Sequence, residues 1–344
     1  MAVTSAPVAS RPAPSAPELP QNTPPPGAPR RPRRGRRADT KLSFRAHLRR
    51  DRMMLLMVLP GFLYFVVFHW LPIPGNIIAF EDYQPYLGFF DSVWVGLDNF
   101  AVAFTDPAFW YALRNTLVIT LMQLVLFFPV PIMLALLLNS IMSPGLKKFV
   151  QSVIYLPHFL GWVIIISIFT QILGPTGAIP NLLDSMGLPR ISPMTNPETF
   201  PLLVTLQTIW KDAGWGTIMF LAALASIDEE LYEAAAVDGA GPWRRMWAIT
   251  IPGIMPIVIL LLILNLGTAL SVGFEQIILQ RNNVGAEAGE VLDTYVYFHG
   301  IVDGQWGTAA AVGLVKGVVG LFLVLGANKL AHMFGQDGVY SRDR

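Results

Sequence analysis

Residues 226–252 read SIDEELYEAAAVDGAGPWRRMWAITIP, and this stretch decides how the chain is organised. Ser226 and Asp228 are both side chains that cap a helix N-terminus, and Ser226 with Glu229 has the spacing of a capping box. Asp228, Glu229 and Glu230 place negative charge at the positive end of the helix dipole. Leu231, Ala234 and Ala235 then recur at helical spacing until Asp238-Gly239 stops the helix. Pro242 suits the first turn of a second helix, Arg244 and Arg245 follow, and Pro252 marks the entry to a long apolar run. The pattern predicts a helix, a tight glycine turn and a second helix. Alanines at the tip let another surface approach closely; the competing arrangement is an amphipathic linker lying on lipid headgroups.

What flanks the stretch is apolar. Of 344 residues, 53% are hydrophobic and 14% charged, with mean hydropathy +0.50, against about 25% charged in a soluble domain. Runs long enough to cross about 30 Å of hydrocarbon occur near 53–70, 113–138, 149–173, 201–225, 253–272 and 307–332. The expected fold is therefore an all-α polytopic membrane protein with six transmembrane helices, the transmembrane domain covering 46–334 and the loop 226–252 lying between spans four and five. With the N-terminus inside, 19 of the 24 Lys and Arg fall on inner segments, including Lys147, Lys148, Arg244 and Arg245. Both termini are thus expected on the cytoplasmic side of the membrane.

The ends read differently. Residues 1–45 are rich in Pro, Ala and Ser and then basic (Arg30, Arg31, Arg33, Arg34, Arg36, Arg37), a composition that cannot offset its ordering entropy. Such a tail beside a membrane span suits anionic headgroups better than nucleic acid, and the net charge of +1 gives no general pull toward nucleic acid. The run 53–70 is not read as a cleavable signal, because His69-Trp70-Leu71-Pro72 is no small-residue cleavage site. Residues 335–344 form a second short cytoplasmic tail.

Catalytic readings find no footing. With 0 cysteines, disulfides and thiolate chemistry are excluded. The five histidines show no metal-ligand spacing. No G-x-x-x-x-G-K-[ST] loop occurs, so any ATP hydrolysis belongs to another polypeptide, and this chain is expected to bind no cofactor. Gly313 and Gly317 have the spacing that lets two helices pack closely. Pro129, Pro131 and Pro256 lie inside spans and bend them. Ionisable groups at membrane depth are candidates for function: Lys211 and Asp212 in span four, Lys316 in span six. Trp215 and Asn265 add an aromatic face and an amide, a mixture that suits sugar, and a cation suits a uronic acid. Phe274 and Glu275 follow span five on the outer side. These six, Lys211, Asp212, Trp215, Asn265, Phe274 and Glu275, are the candidate substrate-pathway residues.

Glu233-Ala234-Ala235, Gly239, Ile249 and Ile251-Pro252 resemble the EAA motif of permeases in binding-protein-dependent ABC importers. The spacing agrees throughout; Ile251 stands where leucine is usual, a swap that keeps volume and polarity. Leu59-Pro60-Gly61, Phe80-Glu81-Asp82-Tyr83, Asn115-Thr116, Tyr155-Leu156-Pro157 and Ala222-Ala223-Leu224 resemble the carbohydrate branch. Gly214-Trp215-Gly216, Gly273-Phe274-Glu275-Gln276 and Thr294-Tyr295-Val296-Tyr297 resemble a subgroup that imports complex oligosaccharides. The resemblance implies a type I importer permease fold in which the EAA loop is a coupling helix seated on a cytoplasmic ATPase dimer. Glu233, Ala234, Ala235, Gly239, Ile249 and Pro252 would then be the coupling residues. It also implies a second, different permease, an extracellular or lipid-anchored sugar-binding protein, and ATP with Mg used by the ATPase. An ion-coupled secondary transporter is the alternative; it would rest on Asp212 and leaves the EAA loop unexplained.

Overall fold

The structure, a computed structural model, describes residues 51–333; the expected tails at 1–45 and 335–344 lie outside these residues. Apart from one pair of two-residue antiparallel strands, β1 (Glu81–Asp82) and β2 (Val93–Trp94), regular structure in the described residues is helical. Helix α1 (Arg52–Phe65) belongs to a compact unit that ends at Val66. It is apolar all round and buries none of its residues.

The second unit starts at Val67. It runs through α2 (Asp98–Thr105), α3 (Pro107–Met122), α4 (Pro129–Ser140), α5 (Pro144–Tyr155), α6 (Trp162–Leu173), α7 (Ala178–Ser185) and α8 (Phe200–Ala225). It continues with α9 (Glu229–Val237), α10 (Pro242–Arg245), α11 (Ile251–Gly267), α12 (Phe274–Ile278), α13 (Leu292–Tyr297) and α14 (Trp306–Met333). Among the described residues, five helical runs are long and apolar enough to cross a membrane: Arg52–Phe80, Pro107–Ser140, Trp162–Ser185, Pro242–Gly267 and Trp306–Met333. Exposed leucine, phenylalanine and valine side chains cover their outer faces, a surface suited to lipid.

Two expected spans come out differently. The third, expected as one run over 149–173, is broken. Helix α5 stops at Tyr155, a 3-10 turn covers Leu156–Phe159, and α6 begins only at Trp162. Pro157 supplies no N–H to continue the helix, and Gly161 takes an extended conformation as the N-cap of α6. The fourth expected span is the single helix α8, whose 26 residues reach about 39 Å at 1.5 Å per residue. It is less apolar than the other five because it faces protein: eleven of its side chains are buried, among them Gln207, Lys211 and three others that are polar or glycine (Thr205, Gly214, Thr217). It packs against α3, α4, α5 and α11. A helix walled in by other helices can carry polar groups if its neighbours satisfy them.

Gly214 shows how close that packing is. A Cβ there would overlap the Ile154 backbone carbonyl of α5, so only glycine lets these two backbones meet. Gly214→Leu is expected to prevent assembly: membrane-inserted, folded protein on a fluorescence-detected sizing column should fall by about tenfold or more, since overpacking of this kind typically costs 1–3 kcal/mol or more. A normal yield would show that α5 and α8 do not approach this closely.

Buried amides and a half-buried carboxylate tie parts of the unit together. Gln276 and Gln280 each donate to the Gln207 side-chain oxygen, at 2.8 and 2.9 Å, and Gln276 also donates to the Val204 carbonyl at 2.9 Å. Asp106 caps α3 by accepting from the Ala108 N–H at 2.9 Å, and its other oxygen accepts from the Tyr295 hydroxyl at 2.8 Å. Burial, and then this bond to Asp106, raises the phenol above its ordinary pKa, so Tyr295 remains a donor. That contact fixes α13 against the start of α3.

Candidate functional site

The projecting loop forms as its sequence requires. Asp228 is the N-cap of α9, its carboxylate accepting from the Glu230 N–H at 3.0 Å. Ser226 does not cap it; its hydroxyl donates back to the Ala223 carbonyl at 2.7 Å and closes α8. At the other end the Gly239 N–H donates to the Ala236 carbonyl at 3.1 Å and the Ala240 N–H to that of Ala235 at 2.8 Å. This is the Schellman pattern, and Gly239 has φ +74°, where glycine avoids the strain a side chain would meet. Pro242 then opens a helix that continues without a break through a π turn at Met246–Thr250 into α11. Tyr232 and Thr250 hydroxyls meet at 2.9 Å and brace the loop against the span.

None of the α9 side chains is buried. Glu233, Ala234, Gly239 and Pro252 are exposed, Ala235 and Ile249 half-buried. Val237 is 88% and Trp243 74% exposed. Val237 ends α9 and Trp243 lies in α10, so large apolar side chains stand exposed on both sides of the Gly239 turn.

The break in the third span gathers six ionisable and aromatic side chains. Lys211 is buried, and its ammonium donates to the His158 and Leu160 carbonyls, both at 2.7 Å, while lying 5.5 Å from the centre of the Trp162 ring. A cation at the carbonyl end of a half-helix satisfies acceptors that the break leaves open. Asp212 holds His158 by its Nδ1 at 2.8 Å, and the imidazole stacks on Trp215 with ring centres 4.5 Å apart and planes 5° from parallel. Phe159 stands edge-on to the same indole.

A separate cavity of about 160 Å³ opens between α3, α11 and the segment after it. Its polar wall consists of Thr120, Gln123, Thr208, Asn265, Thr268 and Ser271; Phe127 and Phe128 face them. Gln123 and Phe127 bound a π turn that arises because Pro129 cannot donate into the preceding turn. Asn265, whose side-chain amide donates to the Leu261 carbonyl at 2.8 Å, lines this cavity. A second cavity of about 480 Å³ adjoins the first through Thr268 and Ser271, and its far wall carries Lys316. Hydroxyls, amides and a phenyl pair without a net charge suit a ligand rich in hydroxyls and flat C–H faces.

A family model described as the binding-protein-dependent transport system inner membrane component matches residues 127–332. The chain belongs to that family. This transport component is 46% identical over 300 residues to Protein LplB of Bacillus subtilis (strain 168), covering 87% of this chain and 94% of that one. It is 47% identical over 294 residues to the polygalacturonan/rhamnogalacturonan transport system permease protein YteP of the same organism, covering 85% and 92%. A bacterial alginate ABC transporter, solved in complex with an alginate pentasaccharide-bound periplasmic protein, superposes with TM-score 0.77 at 37% identity, covering 85% of this chain and 98% of that one.

Set in the transport component, the pathway candidates divide. Asn265 lines the cavity. Lys211 and Asp212 do not: their polar groups are engaged with the backbone and His158 at the helix break. Trp215 remains 43% exposed beside them. Phe274 packs edge-on against Tyr297 and Glu275 is exposed, and neither borders the two cavities; their neighbour Gln276 is the buried member of that segment. Sequence patterning passed over Gln123, Thr268 and Ser271. The available signal was a glutamine within an apolar span and, for the other two, hydroxyls near the end of the expected span 253–272.

Proposed function

We propose that this transport component is a permease subunit of an ATP-driven importer, and that it forms, with a second homologous permease, the path for an oligosaccharide. An external binding protein delivers the sugar, and a separate ATPase dimer, using ATP and Mg, docks on the loop 226–252. The observation that carries the reading is α9: a helix capped at both ends, braced by Tyr232 and Thr250, and free of buried side chains. In the fold this family shares, a stiff projection of that kind can transmit force from a partner into the spans it joins. The polar cavity between α3 and α11 supports sugar as cargo, as do the names of the related polygalacturonan/rhamnogalacturonan and alginate systems; those polymers also make an acidic sugar the leading substrate class. On this reading α8, the fourth span in chain order, brings the number of spans to six, both termini are cytoplasmic, and the chain itself performs no chemistry. Ion-coupled transport would rest on Asp212, whose carboxylate is taken up by His158.

Two measurements test this. Because the chain has 0 cysteines, Val237→Cys introduces a single thiol. It should react with a membrane-impermeant maleimide only from the inner side, and should cross-link to the ATPase; labelling from outside would reverse the orientation. In proteoliposomes holding both permeases and the ATPase, uptake should require internal or ATPase-side ATP together with the binding protein. Uptake driven by a proton or sodium gradient without nucleotide would defeat the importer reading.

A further inference from the structure

Two lysines sit at membrane depth, and their surroundings are opposite. The Lys211 ammonium is buried, with two carbonyl acceptors and the Trp162 ring around it. The Lys316 ammonium borders a cavity of about 480 Å³, its side chain 19% exposed. Among the described residues it donates to one acceptor, Asp293 of α13, although an ammonium carries three donors. The space beside it is held open by Gly313 and Gly317, where a Cβ would meet nothing within 4 Å. Thr268 and Ser271 line this space and the polar cavity alike.

We infer that Lys316 is a masked cation in the transport path, at which the carboxylate of an acidic sugar exchanges for Asp293 during passage. An unpaired ammonium at this depth is costly, and Asp293 offsets that cost when the path is empty. An arriving carboxylate offers the same oxygen ligands and the same charge, so it can displace Asp293 or share the free donors without exposing the cation. A neutral sugar offers only hydroxyls, which are weaker acceptors than a carboxylate. Asp293 also provides for release, because it competes for the ammonium as the sugar moves on. The backbone position of Asp293 is set by its neighbour Tyr295, held to Asp106. Lys316 is thus a specificity-determining residue rather than a structural counter-ion. The inference rests on the cavity being the sugar path.

The test uses the assembled transporter in phosphatidylcholine nanodiscs, without binding protein, so that neither lipid anions nor a second receptor decide the outcome. Binding of digalacturonic acid is compared with that of its dimethyl ester by equilibrium dialysis; the ester is the same sugar without the charge. Lys316→Met should weaken the acid by about tenfold or more, the worth of a charge-assisted hydrogen bond, and leave the ester within about twofold. Asp293→Asn should strengthen the acid severalfold by unmasking the cation. Gly317→Leu fills the space without touching the charge and should weaken acid and ester alike. Equal loss of acid and ester in Lys316→Met, or weaker acid binding in Asp293→Asn, would overturn the masked cation. If wild-type transporter binds neither ligand, the sugar-path reading itself falls. Should Lys316→Met fail to assemble, Asp293→Asn decides alone, because a purely structural ion pair predicts loss where a masked cation predicts gain.

Discussion

Gly239→Val should reduce ATP-driven uptake by more than about tenfold while the protein reaches the membrane at near-normal levels. The residue sits at φ +74°, and a β-branched side chain there is a conformational outlier costing roughly 1–2 kcal/mol. The chain would relax that strain by undoing the Schellman turn at Ala235 and Ala236, tilting α9 away from its brace at Thr250. Since α9 buries nothing within this chain, the fold loses little; what changes is the direction in which the exposed tip points. Asn tolerates the left-handed region better than Val, so Gly239→Asn should recover a large share of uptake, with Gly239→Ala between the two. ATPase activity measured alongside uptake separates the cases. Hydrolysis without transport marks a broken linkage, and full uptake in Gly239→Val would remove the argument for docking at this loop.

Lys211→Met should act in another way, by unseating the break in the third span. The substitution keeps most of the side-chain volume but leaves the His158 and Leu160 carbonyls without their donor. These acceptors are partly buried, so each one left unmade costs up to about 1–3 kcal/mol, a large part of a stability of about 5–15 kcal/mol. The expected result is a lower thermal midpoint for the purified complex and a loss of transport that is the same for acidic and neutral sugars. Lys211→Arg, which restores a cation and several donors, should recover part of the stability. A selective loss of acidic substrate with unchanged thermal stability would return Lys211 to the path as a sugar contact. This outcome is the reverse of the one expected for Lys316→Met, so the two lysines can be told apart in one experiment.

Much of this architecture is legible in the sequence because lipid imposes a simple rule on it. Long apolar runs must be spans, and the ends of α14 and α8 fall within a residue or two of the expected 307–332 and 201–225. The third span misled because the residues on both sides of its break are apolar. Pro157 and Gly161 were visible, yet hydropathy averages over them, and the breaking power of a proline shows only when its lost hydrogen bond is placed. The cap of α9 was a contest between Ser226 and Asp228 that pattern alone leaves open. Asp228 wins because it immediately precedes the first helical residue, Glu229, whereas Ser226 has a nearer acceptor in Ala223. The cavity was least legible. Asn265 was singled out as an amide in an apolar span, but whether a polar side chain faces a cavity or a carbonyl depends on which helices meet. That explains how Lys211 and Lys316, alike in sequence terms, come to have different surroundings.

The three buried glutamines carry a last consequence. Gln207, Gln276 and Gln280 hold α8 to the segment around α12 through amide pairs, the Val204 carbonyl and the Thr208 hydroxyl, all of them uncharged groups. Any parting along that seam moves dipoles but no net charge through the electric field of the membrane, where each elementary charge would add about 2.3 kcal/mol per 100 mV. The seam can therefore open and reseal at the same rate in an energised and a de-energised cell, and uptake by vesicles clamped at different potentials should coincide for an uncharged cargo; a steep voltage dependence there would point to a charged latch elsewhere.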